Sequence, residues 1–146
     1  MVSAGPTHEP IDPVRFVGNR SSGRMGFALA NEARRRGAVV TLVAGPTRVE
    51  PPAVDTLVRV RSAQEMHNAV MAHGVGADAV IMAAAVADYA PASASSQKVA
   101  KQDGDLTLVL RRTPDILKAL GERRAAWPSL DEVLQGSHEL DRKSVV

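Results

Sequence analysis

The sequence predicts an α/β protein, a mostly parallel sheet with helices on its faces. Three observations predict it: short β-rich runs end at small residues or at Gly-Pro, helical segments of about 10–15 residues lie between them, and those helices open and close on recognisable signals. Val39 to Ala44 is the first such run, a buried strand stopped by Gly45-Pro46. Thr56 to Val60 is a second, and Ala79 to Met82 is a third that continues into Ala83-Ala84-Ala85. Leu106 to Leu110 alternates as an edge or antiparallel strand would. Between them, Gly23 to Arg36 is a helix with Met25, Leu29 and Ala33 on one stripe, arginines in its last turn and Gly37 as its stop. Ser62 and Glu65 form a capping box ahead of Met66, Ala69 and Val70. Thr113-Pro114-Asp115 supplies a cap, a proline at the first helical position and a first-turn acid, opening a helix that runs to about Arg124.

At 146 residues the chain is the length of one domain and can bury a core. Its 45% apolar and 23% charged content is that of a globular protein. No apolar run approaches the ~18 residues of a membrane span. The first residues lack the apolar core of a secretory signal, so a cytoplasmic location is expected. With no cysteine, disulfides, thiolate zinc sites and cysteine nucleophiles are excluded. Most of the 18 basic residues are Arg, suited to forked phosphate and carboxylate contacts, and equally what a GC-rich coding sequence supplies. The aromatics Phe16, Phe27, Tyr89 and Trp127 do not interleave with basic residues, so no nucleic-acid platform is expected. The four histidines do not cluster, and no metal site is expected from them.

Both ends depart from the pattern. Met1 to Ala4 reads as the end of a strand whose start is missing, since strands usually run ~5–6 residues. Residues 127–146 close on Asp141-Arg142-Lys143-Ser144-Val145-Val146, which can be written in codons that reproduce a common sequencing-adapter sequence. The expectation is a folded, partial domain over 1–126 and a non-native or disordered tail over 127–146.

Three stretches carry chemistry. In the first, a strand ends at the small-residue turn Ala4-Gly5-Pro6-Thr7, an excursion pinned by Pro10 and Pro13 follows, and Asn19-Arg20-Ser21-Ser22-Gly23 leads into a helix. First-turn N–H groups, the Ser21 and Ser22 hydroxyls and the helix dipole can bind an anion there, with Arg20 and Arg24 adding charge. The plainer reading makes Ser21 or Ser22 an N-cap and Gly23 a turn residue. The second stretch is Ala83-Ala84-Ala85-Val86-Ala87-Asp88-Tyr89 at the carboxyl end of a strand, where open parallel sheets bind ligands. Asp88 there either accepts hydrogen bonds from a ligand or caps a turn. The third is Lys98-Val99-Ala100-Lys101, after a Ser/Ala-rich stretch that reads as mobile. A lysine so placed can close over a phosphate or an oxyanion, or simply be solvated surface.

Together and in this order, these stretches resemble phosphopantothenate–cysteine ligase. S-A-G-P-T-H-E-P-I-D-P-V-R-F-V-G-N-R-S-S-G-R-M-G is similar to that family's opening, and A-A-A-V-A-D-Y-A-P, K-V-A-K and T-P-D-I-L are similar to its later signatures. The likeness covers roughly residues 2–124. It implies a Rossmann-like fold and a CTP-dependent ligation of 4′-phosphopantothenate to cysteine through an acyl-cytidylate, in a homodimer, with Mg2+ accompanying the triphosphate. By resemblance, Asn19 polarises the acyl group, Lys98 is the catalytic lysine of a flap, and Lys101 binds substrate or nucleotide. Ala84 and Ala85 line the intermediate, Asp88 binds nucleotide, and Gly5, Ser21, Ser22 and Gly23 surround the phosphates. A neutral amide and an ammonium stabilise the negative charge this chemistry develops without a histidine base. Arg24 stands where the family commonly has lysine. The family's G-F-A-A-E-T segment and a later lysine-bearing segment are not in the sequence, so a sheet incomplete at its C-terminal side is expected. The flavin-dependent decarboxylase half is likewise not in it, so no FMN is implied.

Two other readings stand beside this one. A nicotinamide-dependent oxidoreductase needs G-x-G-x-x-G after the first strand and an acid ending the second; S-A-G-P-T and Ala44-Gly45-Pro46 stand there instead. A non-catalytic remnant, competent only for dimer contacts, is the third.

Overall fold

A computed structural model describes residues 1–101 and 103–123. The expected tail, the 126/127 boundary and Arg124 lie outside them. The chain runs β1 (Val2–Ala4), β2 (His8–Pro10), β3 (Phe16–Gly18), α1 (Arg24–Arg35), β4 (Thr41–Ala44), β5 (Thr56–Arg59), α2 (Ala63–Gly74), β6 (Ile81–Met82), β7 (Tyr89–Pro91), β8 (Leu110–Arg112) and α3 (Ile116–Glu122). Four strands form one parallel sheet in the order β5-β4-β1-β6, with Val2 opposite both Leu42 and Ile81. Parallel strands need long crossovers: α1 lies between β1 and β4, an irregular stretch joins β4 to β5, and α2 lies between β5 and β6. The architecture is the expected α/β, Rossmann-like one.

Apolar side chains alternate between the two faces of this sheet. On one face, Phe27 and Ala30 of α1 pack on Val2, Ala4, Leu42 and Ala44. On the other, Val43 meets Met66 and Val70 of α2 and Ile116 and Leu120 of α3. Burial on both faces explains why Leu42-Val43-Ala44 is apolar throughout rather than alternating. Two antiparallel ribbons, β2 with β3 and β7 with β8, stand apart from the sheet.

Four details differ from the sequence reading. The first is the buried face of α1, which is Gly26, Phe27 and Ala30, whereas Met25 is 70% and Leu29 38% exposed. A Cβ on Gly26 would lie 2.5 Å from that of Ala4. The bare glycine therefore lets the helix approach β1 closely, and this approach, not the larger residues, sets its rotation. Second, β4 begins at Thr41, leaving Val39 85% exposed. Third, the last strand is Leu110–Arg112, not Leu106 to Leu110, because its pairing with β7 sets Pro91 opposite Leu110 and Tyr89 opposite Arg112. Fourth, α3 is capped by Asp115, whose carboxylate accepts from the Lys118 N–H at 2.9 Å. Thr113 is engaged elsewhere: its hydroxyl donates to the Ala87 carbonyl at 2.6 Å and its N–H to that of Asp88 at 3.0 Å. The capping box at α2 forms as read, Ser62 Oγ accepting from the Glu65 N–H at 3.2 Å.

Candidate functional site

β1 ends at Ala4 and the chain turns at Gly5, whose φ of 79° suits glycine. A Cβ on Gly5 would stand 2.9 Å from Thr47 Cγ2. Gly23, with φ 74°, forms the mouth of α1 and abuts the same turn, since a Cβ on it would be 3.3 Å from Gly5 Cα. The two glycine backbones are therefore in direct contact. α1 has no side-chain cap and no acid in its first turn. Ser21 Oγ accepts from the Gly23 N–H at 3.3 Å, and Ser22, Arg20 and Arg24 are exposed around it. An exposed helix mouth without carboxylates, rimmed by hydroxyls and guanidinium groups, attracts anions.

Beyond β6 the chain stays parallel to the β1 turn. The Ala85 N–H donates to Gly5 O at 2.8 Å and the Thr7 N–H to Ala85 O at 3.2 Å. Asn19 reaches this stretch from the end of β3: its Nδ2 donates to the carbonyls of Ala85 at 3.2 Å and Val86 at 3.0 Å. Buried Thr7 holds the same stretch, its Oγ1 accepting from the Ala87 N–H at 2.9 Å. Gly5, Asn19, Ser21, Gly23 and Ala85 thus gather at one end of the sheet, with Ser22 beside them.

Ala84 and Asp88 stand on a neighbouring surface. They line a cleft of about 580 Å³ between Met82 and Val86 on one side and the Thr113–Leu117 segment on the other. Lys98 and Lys101 lie on the exposed loop between β7 and β8. That loop is fastened to the β2–β3 hairpin, where the Ser95 N–H donates to Ile11 O at 2.9 Å and the Val99 N–H to Asp12 Oδ2 at 3.2 Å.

The sequence reading of the site gives no role to Asp12, Arg15, Thr113 or Glu9, and takes Thr7 only as part of the small-residue turn. Asp12 is 1% exposed, and the Arg15 guanidinium beside it, reinforced by backbone N–H groups, holds its carboxyl well below the usual carboxylate range. The Asp-Pro-Val-Arg order offered a readable turn signal, with Asp12 Oδ1 accepting from the N–H groups of Val14 and Arg15. Thr7 and Thr113 had no local signal, because their partners lie 80 and 26 residues away. Among the described residues no three His, Asp or Glu side chains gather to hold a metal ion.

Residues 1–130 match the family described as the DNA/pantothenate metabolism flavoprotein C-terminal domain. The chain belongs to this family. It is 50% identical over 122 residues to the coenzyme A biosynthesis bifunctional protein CoaBC of Vibrio parahaemolyticus, a match covering 82% of this chain and 31% of that protein. It is 43% identical over 154 residues to a cysteine/cysteine sulfinic acid decarboxylase from an unknown prokaryotic organism, covering 99% of this chain and 43% of that one. The chain thus spans less than half the length of either relative. Among solved structures, the C-terminal domain of a CoaBC protein superposes with a TM-score of 0.71 at 42% identity, covering 94% of this chain and 69% of that one. No described helix is long and apolar enough to cross a membrane.

Proposed function

We propose that this chain is the ligase domain of a phosphopantothenate–cysteine ligase in coenzyme A biosynthesis. A carboxylate oxygen of 4′-phosphopantothenate attacks the α-phosphorus of CTP and pyrophosphate leaves. The cysteine amine then attacks the acyl carbon of the acyl-cytidylate, forming the amide and releasing CMP. One observation carries the reading: Asn19, from a hairpin, lies on the Ala85–Val86 peptide beside the uncapped mouth of α1. An amide donor and an anion-attracting helix end are thus adjacent, as a mixed anhydride of a phosphate and an acyl group requires.

In this reading the Gly5 and Gly23 backbones with Ser21 and Ser22 receive phosphate, and the acyl oxygen takes over one of the two Asn19 hydrogen bonds. Ala84 and Ala85 leave room along the strand end, and Asp88, on the cleft, accepts from the nucleotide. Lys98 supplies positive charge to the α-phosphate under attack, and Lys101 adds to it. Magnesium arrives with the triphosphate, held mainly by phosphate oxygens, the usual way this ion binds. The working unit is a homodimer.

Calorimetry with CTP, dCTP, ATP and NADH tests the binding, and CTP selectivity is the expected result. Pyrophosphate release from CTP with 4′-phosphopantothenate tests the chemistry. In a full-length version carrying the family's later segments, Asn19→Ala and Lys98→Ala should each lower turnover without unfolding the protein. Preference for NADH, or release of CO2 from cysteine without CTP, would overturn the proposal.

A further inference from the structure

Asp12 is the most completely bonded side chain in the described structure, and none of its partners belongs to the sheet or its helices. Its Oδ1 closes the hairpin turn by accepting from Val14 N–H at 2.9 Å and Arg15 N–H at 2.8 Å. Its Oδ2 accepts from Arg15 Nε at 2.9 Å and Nη2 at 2.6 Å, and from the Val99 N–H at 3.2 Å. Arg15 Nη2 also donates to the Val99 carbonyl at 3.0 Å. An ion pair in a short turn, its carboxylate buried and its guanidinium partly exposed, thus grips both backbone polar groups of a residue 84 positions from Arg15. Val99 is the immediate neighbour of Lys98.

The same hairpin carries Asn19, one residue beyond the end of β3. It is anchored at its other strand. The His8 N–H donates to Arg61 O at 2.7 Å, and buried Glu9 accepts from the Ala63 N–H at 2.8 Å. A turn needs only the Oδ1 bonds to close. The Oδ2 bonds from Arg15 tighten the turn, and the two bonds to Val99 reach beyond it; what those two locate is the loop. Charge-assisted hydrogen bonds of this kind are about twice as strong as neutral ones and directional, which suits them to fixing a loop.

We propose that Asp12 and Arg15 are positioning residues for the reaction: their clasp on Val99 registers Lys98 against Asn19, so that one hairpin sets both groups. This inference rests on the ligase reading of Lys98 and adds two residues and a physical link to it. A loop rich in Ser and Ala reads as mobile, yet the clasp and the Ser95–Ile11 bond fasten it at two points.

Two variants separate the clasp from the turn. Asp12→Asn keeps an oxygen for the Val14 and Arg15 N–H groups but turns an amide donor toward Arg15 and Val99. Val99→Pro deletes the loop's N–H and leaves the hairpin untouched. The chain has no cysteine, so Ser96→Cys accepts a single nitroxide label. In both variants the label's electron paramagnetic resonance spectrum should sharpen toward fast motion. Pyrophosphate release should fall about tenfold in kcat with KM for CTP changed less than twofold, since positioning acts on the transition state more than on nucleotide binding. An unchanged spectrum in Val99→Pro would refute the tether. A mobile label with unchanged kcat in both variants would refute the positioning role. A wild-type chain that neither binds CTP nor releases pyrophosphate would remove the ligase reading itself, and the inference with it. The wild-type control thus tells one failure from the other.

Discussion

α1 and α2 pack on opposite faces of the same sheet, and their first turns are finished in opposite ways. The mouth of α2 is closed by three side chains. Ser62 Oγ accepts from the Glu65 N–H, the Glu65 carboxylate from the Arg61 N–H at 2.6 Å, and the buried Glu9 carboxylate from the Ala63 N–H at 2.8 Å. The mouth of α1 opens on a glycine with positive φ, has no side-chain cap and carries no acid, with Arg20 and Arg24 exposed nearby. Orphan N–H groups at a helix start attract negative charge wherever it comes from. At α2 the protein supplies that charge itself; at α1 it supplies none. The difference shows why one helix end is structural and the other is part of the candidate site.

The comparison can be broken most forcefully at Glu9. Replacing Glu9 with Ala removes the buried acceptor of the Ala63 N–H, and the lost bond should lower unfolding free energy by about 1–3 kcal/mol. Denaturant titration checks this, and CTP affinity should not change. Ser22→Asp does the reverse. A carboxylate beside the mouth of α1 should raise stability by about 0.3–1 kcal/mol while weakening CTP binding about tenfold, as calorimetry would read it. A smaller effect is expected of Ser62→Ala, a loss of about 1 kcal/mol in thermal unfolding, because Glu9 still satisfies part of that end.

The smallest effect is that of pH on the hairpin. Burial, then the charge of Arg61, pushes His8 below its ordinary value against an opposing pull from Glu9, and its ring stacks on Phe16 at 3.7 Å. The unfolded chain then binds this proton more readily than the folded one. Stability should therefore fall slightly as pH drops from neutral through the usual histidine range and level off below the folded-state value. NMR titration of His8 should find its midpoint below 6.5. Asp12 behaves differently: held ionised far into acid by Arg15, it keeps its stabilising bonds until the pH falls well below the ordinary carboxylate range.

Much of this was legible in the sequence, for reasons that are local. A β-rich run stopped by Gly45-Pro46, a Ser/Glu pair three residues apart and a glycine next to two serines are signals within a few residues of the structure they cause. They located the parallel strands, the capping of α2 and the meeting of the Gly5 turn with the start of α1. Asn19 and Ala85 also came together as the motif order implied. The errors were long-range. Which stripe of α1 is buried depended on Ala4 meeting Gly26, and where β8 begins depended on β7. The cap of α3 moved to Asp115 because Thr113 is held by Ala87.

The amino-acid order by itself determined the α/β pattern, the small-residue turn at Gly5 and the identity of the charged and amide groups, because propensity, capping and backbone freedom act over a few residues. Only the tertiary structure decided that the loop bearing Lys98 is fastened by Asp12 and Arg15, and that Thr7 and Thr113 hold Ala87 from either side. Those bonds join residues 26 to 87 positions apart. Their formation depends on the sheet first bringing distant segments within the ~3 Å reach of a hydrogen bond, which no local pattern encodes.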